Sequence, residues 1–337
     1  MKRNLLLWLI SLFLIGCQID EEWQYPSSFW GFAVEGYPIT EQDLELLQKE
    51  TKIDPEMIVF YLQWPIPVHQ HEPITPTLEA IWNGGAIPCL TWEPMSVIDQ
   101  IETTIPYEDI LDGLYDPYLF AIADDIKSWE KPLVIRFAHE MNLSRYHWGT
   151  QLADYGPESP EIYKKMFRYV VDAFKSKQVI NVFWAFCPNV DSIPNDAWNV
   201  PRNYYPGDQY VDLLGMDGYN WDISSELATS RKLLWTSPWR SFEQIFKPLY
   251  LQLKKIAPRK PIVVFETASV QRSGGQRKVQ WIQDALEVSK KWGIKGIVWF
   301  QANKEEDWRI EQFEDNSLSS QPSFQMWLQN HISNLKK

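Results

Sequence analysis

Eight short apolar runs, rich in β-branched and aromatic residues, recur along the 337-residue chain and constrain its fold more than any other feature. They are FWGFAVEG (29–36), MIVFYLQW (57–64), AIPCLTW (86–92), LVIRFAHE (133–140), INVFWAF (180–186), VDLLGMDGY (211–219), PIVVFE (261–266) and GIVWF (296–300). Amphipathic stretches separate them, among them TEQDLELLQKE (40–50), SPEIYKKMFRYVVDAFKSK (159–177), SFEQIFKPLYLQLKKIA (241–257) and RKVQWIQDALEVSKKWG (277–293). Strand alternating with helix requires crossovers and hence a parallel sheet. Eight such units predict an α/β fold of the single (β/α)8 barrel type, in which the last strand closes on the first. No Gly-rich phosphate fingerprint follows an early strand, which counts against a doubly wound dinucleotide-binding sheet. The proline-rich WPIPVHQHEPITPTL (64–78) reads as a rigid loop.

The first residues, MKRNLLLWLISLFLIGC, carry two cations, an apolar stretch from Leu5 to Ile15, and then Gly16-Cys17. That is the layout of an export signal, and the stretch is too short to span a bilayer. LIGC resembles the lipobox of bacterial lipoproteins. Residues 1–16 are therefore expected to be cleaved, Cys17 to be acylated, and 17–28 to tether a catalytic domain of 29–337 to a membrane of the cell envelope. A plain secretory signal is the alternative, and a monomer is expected.

The formal net charge is −12, and cleavage would remove Lys2 and Arg3. So acidic a chain is a poor partner for nucleic acid, whereas a neutral polymer is not excluded. Cys89 and Cys187 each sit in or beside a strand-like run, where a small buried thiol is expected and a disulfide is not.

In such a barrel the strand C-termini build the active site, so polar residues there need a reason. The fourth run ends in His139-Glu140 and the seventh in Glu266. A closed barrel brings these ends to one mouth. Two facing carboxyls are what glycoside hydrolysis requires, one to protonate the leaving oxygen and one to attack the anomeric carbon or activate water. The acid must start protonated in a desolvated site, and the nucleophile must be ionised and supplied with donors. Tyr219 at the sixth strand's end is a candidate donor to Glu266. Arg136 shares strand parity with Glu140, so it should project into the barrel, either serving the site or pairing with Asp217. Trp299 offers a flat face for a pyranose ring, and Trp64, Trp92, Trp148, Trp221 and Trp308 are further candidates among 18 tryptophans.

The motifs RFAHEMN with YHWG, GMDGYNW, FETAS and GIVWF resemble those of glycoside hydrolase family 26, over most of the chain from Trp30 to Trp308. The resemblance implies a retaining barrel glycosidase, endo-β-1,4-mannanase-like, with Glu140 as acid/base and Glu266 as nucleophile. It implies that His139, Tyr219 and Trp299 line the sugar at the cleavage point. Arg136, Trp92, Trp148 and Asp217 complete the expected substrate-binding set. Mixed-linked β-1,3-1,4-glucan and β-1,3-xylan are the alternative substrates within the family. The pattern departs at Arg145, where an aromatic is usual, and at His147, where proline is common.

Two other classes compete. The H-x-H of His69 and His71 has metal-ligand spacing, but it stands in a proline-rich loop with few further histidines, so no metal and no cofactor is expected. A non-catalytic carbohydrate-binding lipoprotein would keep the aromatics but would not need both glutamates.

Overall fold

The computed structural model describes residues 29–66, 68, 71–146, 148, 156–233, 236–271 and 277–310. The expected signal segment, Cys17, the tether, His69 and His147 lie outside the described residues. All eight apolar runs contain strands: β1 (Phe29–Ala33), β2 (Met57–Gln63), β3 (Ile87–Glu93), β6 (Leu133–Phe137), β7 (Val182–Phe186), β8 (Leu213–Asn220), β9 (Ile262–Ser269) and β10 (Gly296–Phe300). They close in the order β1-β10-β9-β8-β7-β6-β3-β2, every neighbouring pair parallel. Helices fill the crossovers, so the fold is the expected (β/α)8 barrel.

Between β3 and β6 the chain adds an antiparallel hairpin, β4 (Met95–Ile98) and β5 (Ile101–Thr104), which the sequence reading did not foresee. Its turn holds Asp99 and Gln100 at φ of 50° and 66°. Two left-handed residues in succession match the right-handed twist of the flanking strands.

The barrel strands are buried on both faces along most of their length, as a parallel barrel demands. Outward side chains meet a helix layer whose apolar residues recur at helical spacing. Helix Ser159–Ser176 buries Ile162, Tyr163, Met166, Phe167, Val170, Val171 and Phe174 on one stripe. Helix Phe242–Ile256 starts at a capping box in which Ser241 and Gln244 satisfy each other's backbone N–H. Cys89 and Cys187 are free and buried. Among the described residues no helix is long and apolar enough to cross a membrane.

Candidate active site

Pleat alternation turns every second residue of each strand into the lumen, and the contacts identify which. Arg136 of β6 reaches across the barrel: its guanidinium donates to Thr91 Oγ1 of β3 at 2.7 Å and to Asp217 Oδ1 of β8 at 2.9 Å. It also donates to Glu266 Oε1 of β9. A glycine at 215 makes room for this network, because a Cβ there would run into the Cys187 thiol and come within 2.8 Å of the Phe265 ring. Arg136 and Asp217 are fully buried beneath the mouth. They form a floor under Glu266 rather than a surface for substrate, and their expected substrate-contacting role is corrected on that ground.

Glu266 is aimed by a bulge. Met216 pairs with Val264 and Asp217 with Glu266, leaving Phe265 as an extra residue in β9. Such an insertion bends the strand and re-aims the next side chain. Three neutral or cationic groups then hold the carboxylate: Arg136, Tyr61 Oη at 2.8 Å on Oε1, and Tyr219 Oη at 2.7 Å on Oε2. Burial works against its ionised form. It is the largest single effect, but the charge of Arg136, the neighbouring His139 and the hydrogen bonds from Tyr219 and Arg136 together outweigh it and hold the pKa down at about 2.

Glu140 is placed by strain. Beyond the end of β6, Ala138 and Glu140 adopt φ of 48° and 50°, left-handed conformations that cost a non-glycine residue free energy. The kink is held by the Glu140 N–H donating to Cys187 O at 2.8 Å. Its carboxyl accepts from Asn189 Nδ2 at 2.5 Å and is hydrogen-bonded to Tyr146. Burial, and next the negative charge of Glu266, raise its pKa to about 7.

Asn142 explains the rest of the RFAHEMN motif. Its Nδ2 donates to Asn189 O and Asp191 O, both at 2.9 Å, while its Oδ1 accepts from Asn189 N–H at 2.9 Å. It fixes the loop after β7 that carries the Glu140 partner. Neither Asn189 nor Tyr61 was picked out from the sequence. The available signal for Tyr61 is its parity with Gln63 near the end of β2.

His139 is buried with Nε2 at 3.9 Å from Glu266 Oε1, and burial, reinforced by Arg136, lowers its pKa to about 3, so the ring is neutral. His139, Asp217 and Glu266 are close enough to share an ion. Arg136 already supplies the positive charge there and is hydrogen-bonded to both carboxylates. His71 of the H-x-H loop faces elsewhere, with Nε2 at 3.0 Å from Asp125.

The tryptophans divide differently from the expectation. Trp92 follows the inward Thr91 and so points outward, into Phe174 of helix Ser159–Ser176 at 5.8 Å, and its Nε1 donates to Tyr118 Oη at 3.0 Å. Trp299 likewise packs between Trp30 at 6.1 Å and Trp281 of helix Arg277–Trp292 at 6.1 Å. Both are core residues of the barrel–helix layer, which corrects their assignment as sugar platforms. Trp64 is buried against Trp92 and Tyr118. Trp148 is buried too: its Nε1 donates to His139 O at 2.6 Å, and its ring stacks under Tyr146 at 4.7 Å. It therefore shores up the acid side of the mouth. Trp308 is buried and edge-on to Trp221 at 4.7 Å, and of these tryptophans only Trp221 retains accessible surface.

Residues 75–235 match the profile of Glycosyl hydrolase family 26. Endoglucanase H of Acetivibrio thermocellus is 35% identical over 239 residues, which is 70% of this chain and 24% of that protein. A mannan endo-1,4-beta-mannosidase of Bacillus subtilis is 27% identical over 170 residues, 44% of either chain. The chain thus spans about a quarter and under half of these two relatives. The solved catalytic domain of the GH26 endo-beta-1,4-mannanase of Bacillus sp. JAMB-750 superposes with a TM-score of 0.61 at 18% identity, covering 93% of this chain and 86% of that one. At that identity the likeness speaks for the fold.

Proposed function

Since residues 75–235 match the profile of Glycosyl hydrolase family 26, we propose that this protein is a member of that family and a retaining hydrolase of β-linked polysaccharide. One observation carries the reading: two buried carboxyls share a barrel mouth and are held in opposite protonation states, Glu266 with a pKa of about 2 and Glu140 of about 7. That split is the division of labour double displacement requires. Glu266 attacks the anomeric carbon while Glu140 gives its proton to the departing glycosidic oxygen, leaving a glycosyl ester on Glu266. Glu140, now a carboxylate, takes a proton from water, whose oxygen attacks the same carbon and releases Glu266.

The substrate is a β-glycan. A β-glucan is favoured first, because the endoglucanase likeness is higher and covers more of this chain than the mannosidase likeness, and because Arg145 replaces the family's usual aromatic beside Glu140. β-Mannan is the second reading, supported by the mannosidase likeness. Hydrolysis of a panel of lichenan, mannan and β-1,3-xylan, with early NMR of the product anomeric proton, tests both points. A first-formed β-anomer from a β-linked substrate is expected. A first-formed α-anomer means inversion and removes Glu266 as nucleophile. A slow fluorosugar should label Glu266 alone.

The reading includes an envelope location through an acylated Cys17, supported by the LIGC sequence. Cys17→Ala should abolish lipid labelling and membrane association, and persistent labelling would refute it.

A further inference from the structure

The mechanism leaves the buried acid Glu93 unused. Glu93 ends β3, two residues beyond Thr91, and alternation turns both to the lumen. It is 5% exposed, yet among the described residues no cation lies within ion-pair distance of it. Its hydrogen-bond partner is the amide of Gln63, directly across from it in the β2–β3 register, which donates to Oε2. A buried carboxyl is ordinarily paired or fully hydrogen-bonded, because desolvation is otherwise uncompensated. Among the described residues Glu93 has one amide donor for about four lone-pair sites.

Its place in the mouth indicates what the remaining capacity meets. Thr91 and Tyr61 hold Arg136 and Glu266 from below. Glu93 and Gln63 stand one alternation step, roughly 7 Å, above them on the same two strands. The negative charge of Glu266 acts on Glu93, and that of Glu93 acts on Tyr146, the residue beside Glu140. A ring whose anomeric carbon lies over Glu266 is therefore level with the Glu93–Gln63 pair.

Resting on the hydrolase reading, we propose that Glu93, supported by Gln63, is a specificity-determining residue that accepts hydrogen bonds from the hydroxyls of the sugar ring attacked by Glu266. The Gln63 amide fixes the carboxyl in place, and the substrate supplies the missing donors. Because Glu93 grips the glycone and not the leaving group, the quality of the leaving group does not alter its contribution. That separates it from Glu140, whose loss an activated leaving group offsets.

The test measures kcat/KM of wild type, Glu93→Ala and Glu93→Gln on the preferred polysaccharide and on an aryl β-glycoside of the same glycone. Glu93→Ala should lose about 10- to 100-fold on both substrates alike, through the lost hydrogen bonds to sugar hydroxyls. Glu93→Gln, which keeps one acceptor oxygen, should recover part of the loss. Glycosides deoxygenated one position at a time should include one on which wild type and Glu93→Ala differ little, since the contact is already absent. A folded Glu93→Ala with wild-type kcat/KM, or a loss equal on every deoxy substrate, overturns the proposal. Tryptophan-fluorescence titration with β-gluco- and β-manno-oligosaccharides keeps the two readings apart. Binding that weakens in Glu93→Ala without any wild-type turnover would sink the hydrolase reading and uphold the Glu93 contact. Binding unaffected by the substitution, or absent altogether, sinks the contact.

Discussion

The floor of the mouth and its rim both use an arginine paired with carboxylates, in opposite surroundings. On the floor, Arg136 has no exposed surface and its bond to Asp217 at 2.9 Å is equally buried. On the rim, Arg145 meets Glu102 of the hairpin in a two-pronged pair at 2.6 and 2.9 Å, with side chains 55% and 33% exposed. Similar geometry does not mean similar worth. Buried charges depend wholly on one another, so removing one partner costs about 3–5 kcal/mol. An exposed pair is screened by water and contributes about 0.2–1 kcal/mol. The floor can therefore dictate the ionisation of Glu266, whereas the rim can only shape the approach to Glu140.

The sharpest way to break this comparison is Arg136→Met. It strands two buried carboxylates and should lower stability by about 3–5 kcal/mol at neutral pH and abolish turnover. The folded pKa of Glu266 is depressed to about 2, so its stabilising pairing is present above its unfolded value near 4.5 and is lost as pH falls toward 2. The gap between the melting curves of variant and wild type should accordingly narrow on acidification. An unchanged melting temperature at neutral pH would show that the floor is not an interdependent network.

Removing a neutral donor instead of the cation should do less. Tyr61→Phe and Tyr219→Phe each delete one hydroxyl bonded to Glu266, at 2.8 and 2.7 Å. Each should cost about 1.5–3 kcal/mol of transition-state stabilisation. Losing a donor to the carboxylate raises its pKa, so the acidic limb of the kcat/KM profile should move to higher pH while the alkaline limb, set by Glu140, stays. Movement of the alkaline limb alone would assign these tyrosines to the other carboxyl.

Glu140 lies between floor and rim and has the opposite sign. Its folded pKa is raised to about 7, so its burial is stabilising below the unfolded pKa and that contribution is lost as pH rises through the folded value. Glu140→Gln should match the wild type near about pH 5 and exceed it by roughly 1–2 kcal/mol near about pH 8, measured by thermal or urea melts. A pH-independent difference would mean that Glu140 is not protonated in the folded protein.

What could be read in the sequence follows the same division between local and assembled features. Eight apolar runs required eight strands, and two polar strand ends pointed to Glu140 and Glu266, because both signals are local. The parity argument turned Arg136 inward, and its partner Asp217 was anticipated. Applied to β3, the same parity turns Trp92 outward once Thr91 is known to face the lumen, so its misreading came from weighing residue type above alternation. Other features do not exist until the chain assembles. The bulge at Phe265 shows only in the pairing of β9 with its neighbours, and Asn189 becomes a partner of Glu140 only when Asn142 pins its loop. The hairpin escaped notice because Met95–Ile98 and Ile101–Thr104 are each 4 residues long and carry little periodicity.

The smallest expected effect tests the rim itself. Arg145 lies over the Tyr146 ring at 5.3 Å, and Tyr146 in turn stacks on Trp148 and is hydrogen-bonded to Glu140. Glu102→Ala frees Arg145 while leaving that aromatic stack and every floor contact intact. Stability should fall by about 0.2–1 kcal/mol, and the loss should vanish in high salt, where exposed charges are screened. Turnover should change through KM more than through kcat, because the hairpin borders the route to Glu140 without holding its carboxyl. The Arg145→Ala and Glu102→Ala double mutant should show a coupling energy of the same small size. A salt-insensitive loss of several kcal/mol would place the rim pair with the buried network and erase the distinction between the two regions.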